Sequence, residues 1–172
     1  MIYNERSDRH ARALEAARHM ITAARTAPKA RGNDLLECAI IDGNDILRLS
    51  SAMERLHAET GRPVYQRDSQ NILKADCIVL IGIKRSDMGL NCKHCGYATC
   101  SDKPSQAPCA MNTVDVGIAI GSACSAAADC RVDTRVLFSA GMGAMDIDML
   151  PGCQQVFAIP VSISSKNPFF DR

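Results

Sequence analysis

The 172-residue chain predicts a fold that mixes α-helices with β-strands and is interrupted by a cysteine-rich loop. Three features lead there. Apolar residues at helical three- and four-residue spacing alternate along the chain with short, continuous, β-branched apolar runs. Residues 75–83, reading ADCIVLIGI, are apolar enough to be covered on both faces. Directly after them, between Asn91 and Cys109, large apolar side chains almost vanish and four cysteines enter.

Taken in order, residues 5–24 place Ala13, Leu14, Ala17, Met20, Ile21 and Ala24 at helical intervals with charges between them, an amphipathic helix with His10 and His19 on its solvated face. Pro28 cannot continue it, and residues 29–34 form a basic, turn-rich loop before a buried strand at 35–41. Arg25, Lys29 and Arg31 therefore stand at a helix-to-strand junction, where cations either hold an anion or are simply hydrated. Asp42-Gly43-Asn44 is a turn signal. Residues 45–59 carry Ile46, Leu49, Met53 and Leu56 at helical spacing and stop before Gly61-Arg62-Pro63, with His57 near the carbonyl end of the helix dipole. A short linker and one or two helical turns at 69–74 lead into the strand at 75–83, where Cys77 is read as core.

Residues 112–128 form a helix rich in small side chains. Glycine costs about 1 kcal/mol against alanine inside a helix, so Gly117 and Gly121 call for close approach of another backbone or of a flat cofactor. A turn and strand at 131–138, a short helical stretch at 140–149 ended by Pro151-Gly152, and a last strand at 155–162 complete the pattern. Gly141 and Gly143 leave N–H groups that could cradle a phosphate, and the Met residues beside them read as core fillers.

Composition narrows the function. With 20 basic and 19 acidic residues and a net charge of +1, nothing global favours nucleic acid or a membrane surface. Aromatics make up 4% with no Trp, too few for base stacking. No apolar run approaches the roughly eighteen residues of a membrane span, and residues 1–12 lack the apolar core of a signal peptide. Nine cysteines cannot all pair within one chain, so a reducing compartment, the cytoplasm, is expected. One domain over residues 1–172, with the cysteine loop inserted at 84–110, is the expected organisation.

The cysteine spacing is C-x2-C-x4-C-x8-C. A two-residue gap lets one tight turn aim two sulfurs at a common point, and two further thiolates close the cage. Only one CxxC is present and the third cysteine follows too closely for a second knuckle, which puts a [4Fe-4S] cluster first, zinc held by four cysteines second, and reactive or structural thiols third. The candidate ligands are Cys92, Cys95, Cys100 and Cys109. Lys84, Arg85, Lys93 and His94 around them would tune a negative centre, draw an acidic redox partner, or keep an exposed loop soluble.

Cys92-x-x-Cys95-Gly96-x-x-x-Cys100 resembles the CxxCGxxxC cluster loop of ferredoxin-type domains. In that resemblance the fourth cysteine usually lies further on, which keeps Cys124 and Cys130 in reserve behind Cys109. Residues 24–35, ARTAPKARGNDL, are similar to the first-helix exit of nitroreductase-like flavoproteins, A-P-S-x-x-N-x-Q-P, with Lys29 in place of Ser and no Gln-Pro. That likeness implies FMN held near Arg25, Lys29, Arg31 and Asn33, with Lys166 as the late cation at the flavin phosphate, and a homodimer built on the helix at 112–128. Over nearly its full length, on Asp133-Thr134-Arg135, Met149-Leu150-Pro151-Gly152 and the ending at 164–172, the chain resembles the DUF2148 family of ferredoxin-domain-containing proteins. The resemblance implies a nitroreductase-like α+β fold, a central mixed sheet flanked by helices with an inserted ferredoxin-type loop. An exposed Phe169-Phe170 pair near the end would dock on a partner subunit. Three functions remain open: an iron–sulfur redox protein with or without FMN, a zinc- or cluster-binding module that docks a partner and has lost the flavin pocket, or thiol redox sensing by Cys92 and Cys95.

Overall fold

The computed structural model describes Ile2 and residues 4–170; Met1, Tyr3, Asp171 and Arg172, the last two belonging to the family-like ending, lie outside the described residues. The chain runs α1 (Glu5–Thr26), β1 (Leu36–Ile41), α2 (Gly43–Thr60), α3 (Pro63–Ile72), β2 (Cys77–Lys84), the cysteine loop, α4 (Ala110–Asp129), β3 (Asp133–Thr134), α5 (Phe138–Asp146) and β4 (Cys153–Ser162). Asn4 caps α1 by accepting from the Arg6 N–H, and the helix buries Ala13, Ala17, Met20 and Ala24 of the stripe its spacing predicts, with Ala16 added and Leu14 and Ile21 half-buried. Helix α3 begins six residues earlier than expected because Pro63 occupies its first position, where a missing N–H removes no helical bond.

Four strands form one sheet in the order β1-β2-β4-β3. A mixed sheet is expected from the sequence; the α+β class stands, but every described pairing is antiparallel. β4 enters between β2 and β3 and runs against both, so β2 and β3, which point the same way, never pair with each other. The expected strand at 131–138 is reduced to Asp133 and Thr134, paired with Ser162 and Val161, plus an isolated bridge from Leu137 to Ala158.

Strand β2 is the axis of the core. Cys77, Val79, Ile81 and Ile83 face α1 and α4, meeting Met20, Val116, Ala119 and Ala123. Ile78 and Leu80 face α2, α3 and α5, meeting Leu49, Met53, Ile72 and Ala140. The period of two along β2 thus divides one apolar run between two helical layers.

Two glycines in α5 serve packing rather than phosphate binding, which corrects the expectation for them. A Cβ on Gly141 would lie 1.9 Å from the Val156 carbonyl oxygen, and one on Gly143 would lie 2.8 Å from Met53 Cγ. Their small size lets α5 press onto β4 and α2. For the terminal aromatics the expectation is corrected at Phe169 alone, which is fully buried in its own chain, where its carbonyl accepts from Arg135 Nη1 at 2.6 Å, while Phe170 stays exposed. Phe170 lies under the Arg135 guanidinium at 4.7 Å.

Gly141→Ala is expected to destabilise the fold by about 3 kcal/mol, the upper range of overpacking, seen as a lower urea midpoint at unchanged m-value. An unaltered midpoint would contradict the close approach of α5 to β4.

Candidate functional site

Strand β2 hands the chain to the cysteine loop at Lys84, whose N–H donates to Leu35 O at 2.9 Å. The antiparallel register brings Leu36 of β1 and Cys153 of β4 to the same end. So the basic loop at 29–34, the cysteine loop and the start of α4 all gather at one end of the sheet.

All four loop cysteines are free thiols; Cys92, Cys95 and Cys100 are half-buried and Cys109 is buried. Left-handed backbone at Gly89, Asn91, Lys93 and Gly96 curls the chain tightly. Asn91 and Cys100 then bond reciprocally: the Asn91 N–H donates to Cys100 Sγ at 3.4 Å, and Asn91 Oδ1 accepts from the Cys100 N–H at 2.8 Å. Thr99 and Asp102 form a capping box around the short turn at Cys100–Asp102. Cys109 is the N-cap of α4, where the unpaired N–H groups of a helix favour negative charge. A cleft of about 410 Å³ lined by Tyr97, Ala107, Pro108, Ala110 and Thr113 opens beside Cys95.

The donor set suits iron or zinc in type: four uncommitted thiols on one loop, one already accepting an N–H bond. The geometry stops short of a cage. Among the described residues, no three His, Cys, Asp or Glu side chains converge as metal ligands, so binding a metal requires the thiols to close toward one another. Neither reserve cysteine belongs to the loop: Cys124 packs against the core beneath α4, and Cys130 is exposed after that helix.

The basic loop is the second candidate, and its cations are already engaged. Arg25 Nη1 donates to Asp34 Oδ2 at 2.8 Å and to Leu36 O at 2.9 Å. Burial tends to raise the Asp34 carboxyl, but the Arg25 guanidinium, the Leu36 N–H and the nearby Lys29 charge together hold it below the ordinary range. Lys29 Nζ donates to the carbonyls of Ala24, Arg25 and Ala27, capping the carbonyl end of α1. Arg31 Nη1 reaches Met88 O at 2.8 Å, and Asn33 Nδ2 lies 3.9 Å from Met88 Sδ. These contacts fasten the basic loop to the stem of the cysteine loop. Lys166 is exposed beyond β4, whose last residues pair with the start of β2 and with β3. It therefore comes after the end of β4 that lies away from the basic loop.

Several residues at this end escape a reading by residue type. Lys103, Asp87 and Asn112 hold the stem of the cysteine loop, and Asp115 accepts the Ala30 N–H with both carboxylate oxygens, at 3.0 and 3.1 Å. For Asn112 and Asp115 a signal exists: they are polar residues on the spacing that continues to Val116, Ala119 and Ala123. Lys103 and Asp87 give none, because their pairing depends on the path of the loop.

Four of the five remaining thiols are held neutral by their surroundings. Burial, with Asp76 and Asp42 adding, pushes the Cys77 thiol up to about 12. Burial also raises Cys38, Cys124 and Cys153. In metal-free native protein at mildly alkaline pH, iodoacetamide is expected to label exposed Cys130 well before these four, with Cys77 last. Mass spectrometry of a labelling time course checks the order, and early loss of Cys77 would contradict its burial.

Comparison with known proteins follows the same lines. The sequence pattern of the family described as uncharacterized protein containing a ferredoxin domain (DUF2148) matches residues 105–172. An uncharacterized protein of Archaeoglobus fulgidus is 34% identical over 182 residues, spanning 100% of this chain and 98% of the relative. Among solved structures, a Bacteroides fragilis nitroreductase with bound FMN superposes with a TM-score of 0.62 at 8% identity, over 88% of this chain and 77% of that one. A Desulfitobacterium hafniense nitroreductase with bound FMN gives 0.59 at 12% identity, over 92% and 82%. A BluB-like flavoprotein of Clostridium difficile gives 0.57 at 16% identity, over 89% and 81%. At such identities the superpositions establish a shared nitroreductase-like fold.

Proposed function

This chain belongs to the DUF2148 family of proteins containing a ferredoxin domain, and on that premise we propose that it is a cytoplasmic iron–sulfur redox protein with its cluster on Cys92, Cys95, Cys100 and Cys109. The observation that carries the reading is the set of four free thiols on one loop mounted on the end of the most buried strand. A bound [4Fe-4S] centre supplies one-electron transfer. The chain's own part is positional: Asn91 directs an N–H at the Cys100 sulfur, and α4 presents its N-terminus at Cys109. Lys84 is paired with Glu37 at 2.5 Å, while Arg85, Lys93 and His94 are exposed around the loop and give an acidic redox partner a complementary surface. Nine unpaired thiols suit a reducing compartment, and no described helix is long and apolar enough to cross a membrane.

A homodimer accompanies this reading. Val114, Gly117, Ile118 and Gly121 form an exposed, uncharged face of α4, and a Cβ on either glycine would meet nothing within 4 Å in the same chain. A second copy supplies the close approach that two helical glycines call for. Ile118→Glu is expected to convert a dimer to a monomer in sedimentation equilibrium. A wild-type chain that sediments as a monomer at micromolar concentration would remove the dimer from the proposal.

FMN has two observations against a site within one chain. Arg25, Lys29 and Arg31 already have protein partners, and Lys166 follows the end of β4 away from the basic loop. Loss of the flavin pocket is what the second reading requires, a non-catalytic zinc- or cluster-binding module that docks a partner.

The deciding experiment is an ultraviolet–visible spectrum with iron, sulfide, zinc and flavin analysis on protein purified without oxygen. About four iron and about four sulfide per chain with a broad visible absorbance are expected, and flavin bands would add the oxidoreductase activity. Stoichiometric zinc with neither chromophore would overturn the redox assignment in favour of the module.

A further inference from the structure

Lys103 is the one lysine of the cysteine loop withdrawn from water, its side chain 4% exposed. Lysine is almost never buried without a partner, and here each of the three ammonium donors has one. Nζ lies 3.0 Å from Asp87 Oδ1, 2.6 Å from Ala107 O and 3.4 Å from Pro104 O. Asp87 belongs to the limb that leaves β2, whereas Ala107 belongs to the limb that enters α4. One buried cation therefore joins the two ends of the loop, with Cys92, Cys95 and Cys100 strung between them and Cys109 two residues beyond Ala107.

Other bonds reinforce the same stem. Asn112 Nδ2 donates to Ser86 O at 2.7 Å, Arg31 Nη1 to Met88 O at 2.8 Å, and Gln154 Nε2 to Gln106 O at 3.1 Å. Loops that rely on a metal for closure are unfolded without it, because binding free energy is their folding free energy. This loop has a cation of its own in that role.

We propose that Lys103 is the positioning residue that keeps the cysteine loop closed in the absence of metal, so that a metal only has to draw the thiols together on a stem already in place. Metal entry and loss then need not unfold residues 85–109. The statement about metal uptake rests on the reading of the loop as a metal centre; the closure itself does not.

The test is hydrogen exchange followed by mass spectrometry on the full chain, reduced and stripped of metal with a chelator. Peptides over residues 99–109 are expected to be protected in the wild type. Lys103→Met is expected to raise their exchange at least tenfold, leave peptides of β2 unchanged, and weaken zinc or iron uptake at least tenfold. Asp87→Asn, which removes the exposed partner and leaves the lysine, should act in the same direction to a smaller extent, and it decides the question if Lys103→Met fails to fold. A wild-type loop that exchanges freely without metal, or variants that match wild type in loop exchange and metal affinity, would overturn the proposal. A wild type that is protected yet takes up neither metal would sink the metal-centre reading while upholding the clamp.

Discussion

Burial of both faces of β2 is the constraint on which the remaining architecture depends. Ile78, Val79, Leu80, Ile81 and Ile83 are all removed from water, a gross gain on the order of 10 kcal/mol at 1.5–3 kcal/mol per side chain. That gain is available only with a helical layer on each side. The pair α1 and α4 supplies one layer through small residues, Ala13, Ala17, Ala119 and Ala123, so the helices come close to the sheet and to each other. The other layer uses larger side chains of α2 with the glycines of α5. Because the strand is covered on both sides, its outgoing end is stiff, and the segment it releases starts from a defined point.

Much of this arrangement is legible in the sequence because burial imposes periodicity. The stripe of α1, the continuous run of β2 and the small-residue helix α4 all follow from apolar spacing. What is not legible depends on how elements return. Strand direction turns on where each connection re-enters the sheet, with β4 inserted between β2 and β3, and Pro63 reads as an interruption although it opens α3. Phe169 reads as an exposed terminal aromatic because only the tertiary contact with Arg135 reveals that the tail folds back.

The site divides in the same way. Cysteine spacing identifies the loop, since several thiols within a short segment are a property of the sequence itself. The state of each cation is not such a property. Arg25, Lys29 and Arg31 share one short stretch and the same charge, yet one pairs with a carboxylate, one with the carbonyl end of a helix and one with a distant carbonyl. Charge counting therefore gives an anion site where the folded chain has already engaged the cations' donors, one with a carboxylate and two with backbone carbonyls. Lys103 is the converse case: one cation among several on the loop, it becomes its central strut through partners 16 residues before and four residues after it.

Helix direction explains why the two candidate sites differ. The carbonyl end of α1 and the amide end of α4 arrive together, joined where Asp115 accepts the Ala30 N–H. The carbonyl end attracts a cation, and Lys29 already occupies that position. The amide end attracts an anion, and the residue placed there is Cys109, so a negative centre bound through it would face the open N–H groups of α4. Negative charge is thus favoured on the cysteine side and compensated on the basic-loop side. The electrostatic asymmetry supports a thiolate-bound centre ahead of a flavin phosphate held by this chain alone, and it arises from the antiparallel packing of two helices rather than from the charges that the sequence displays most openly.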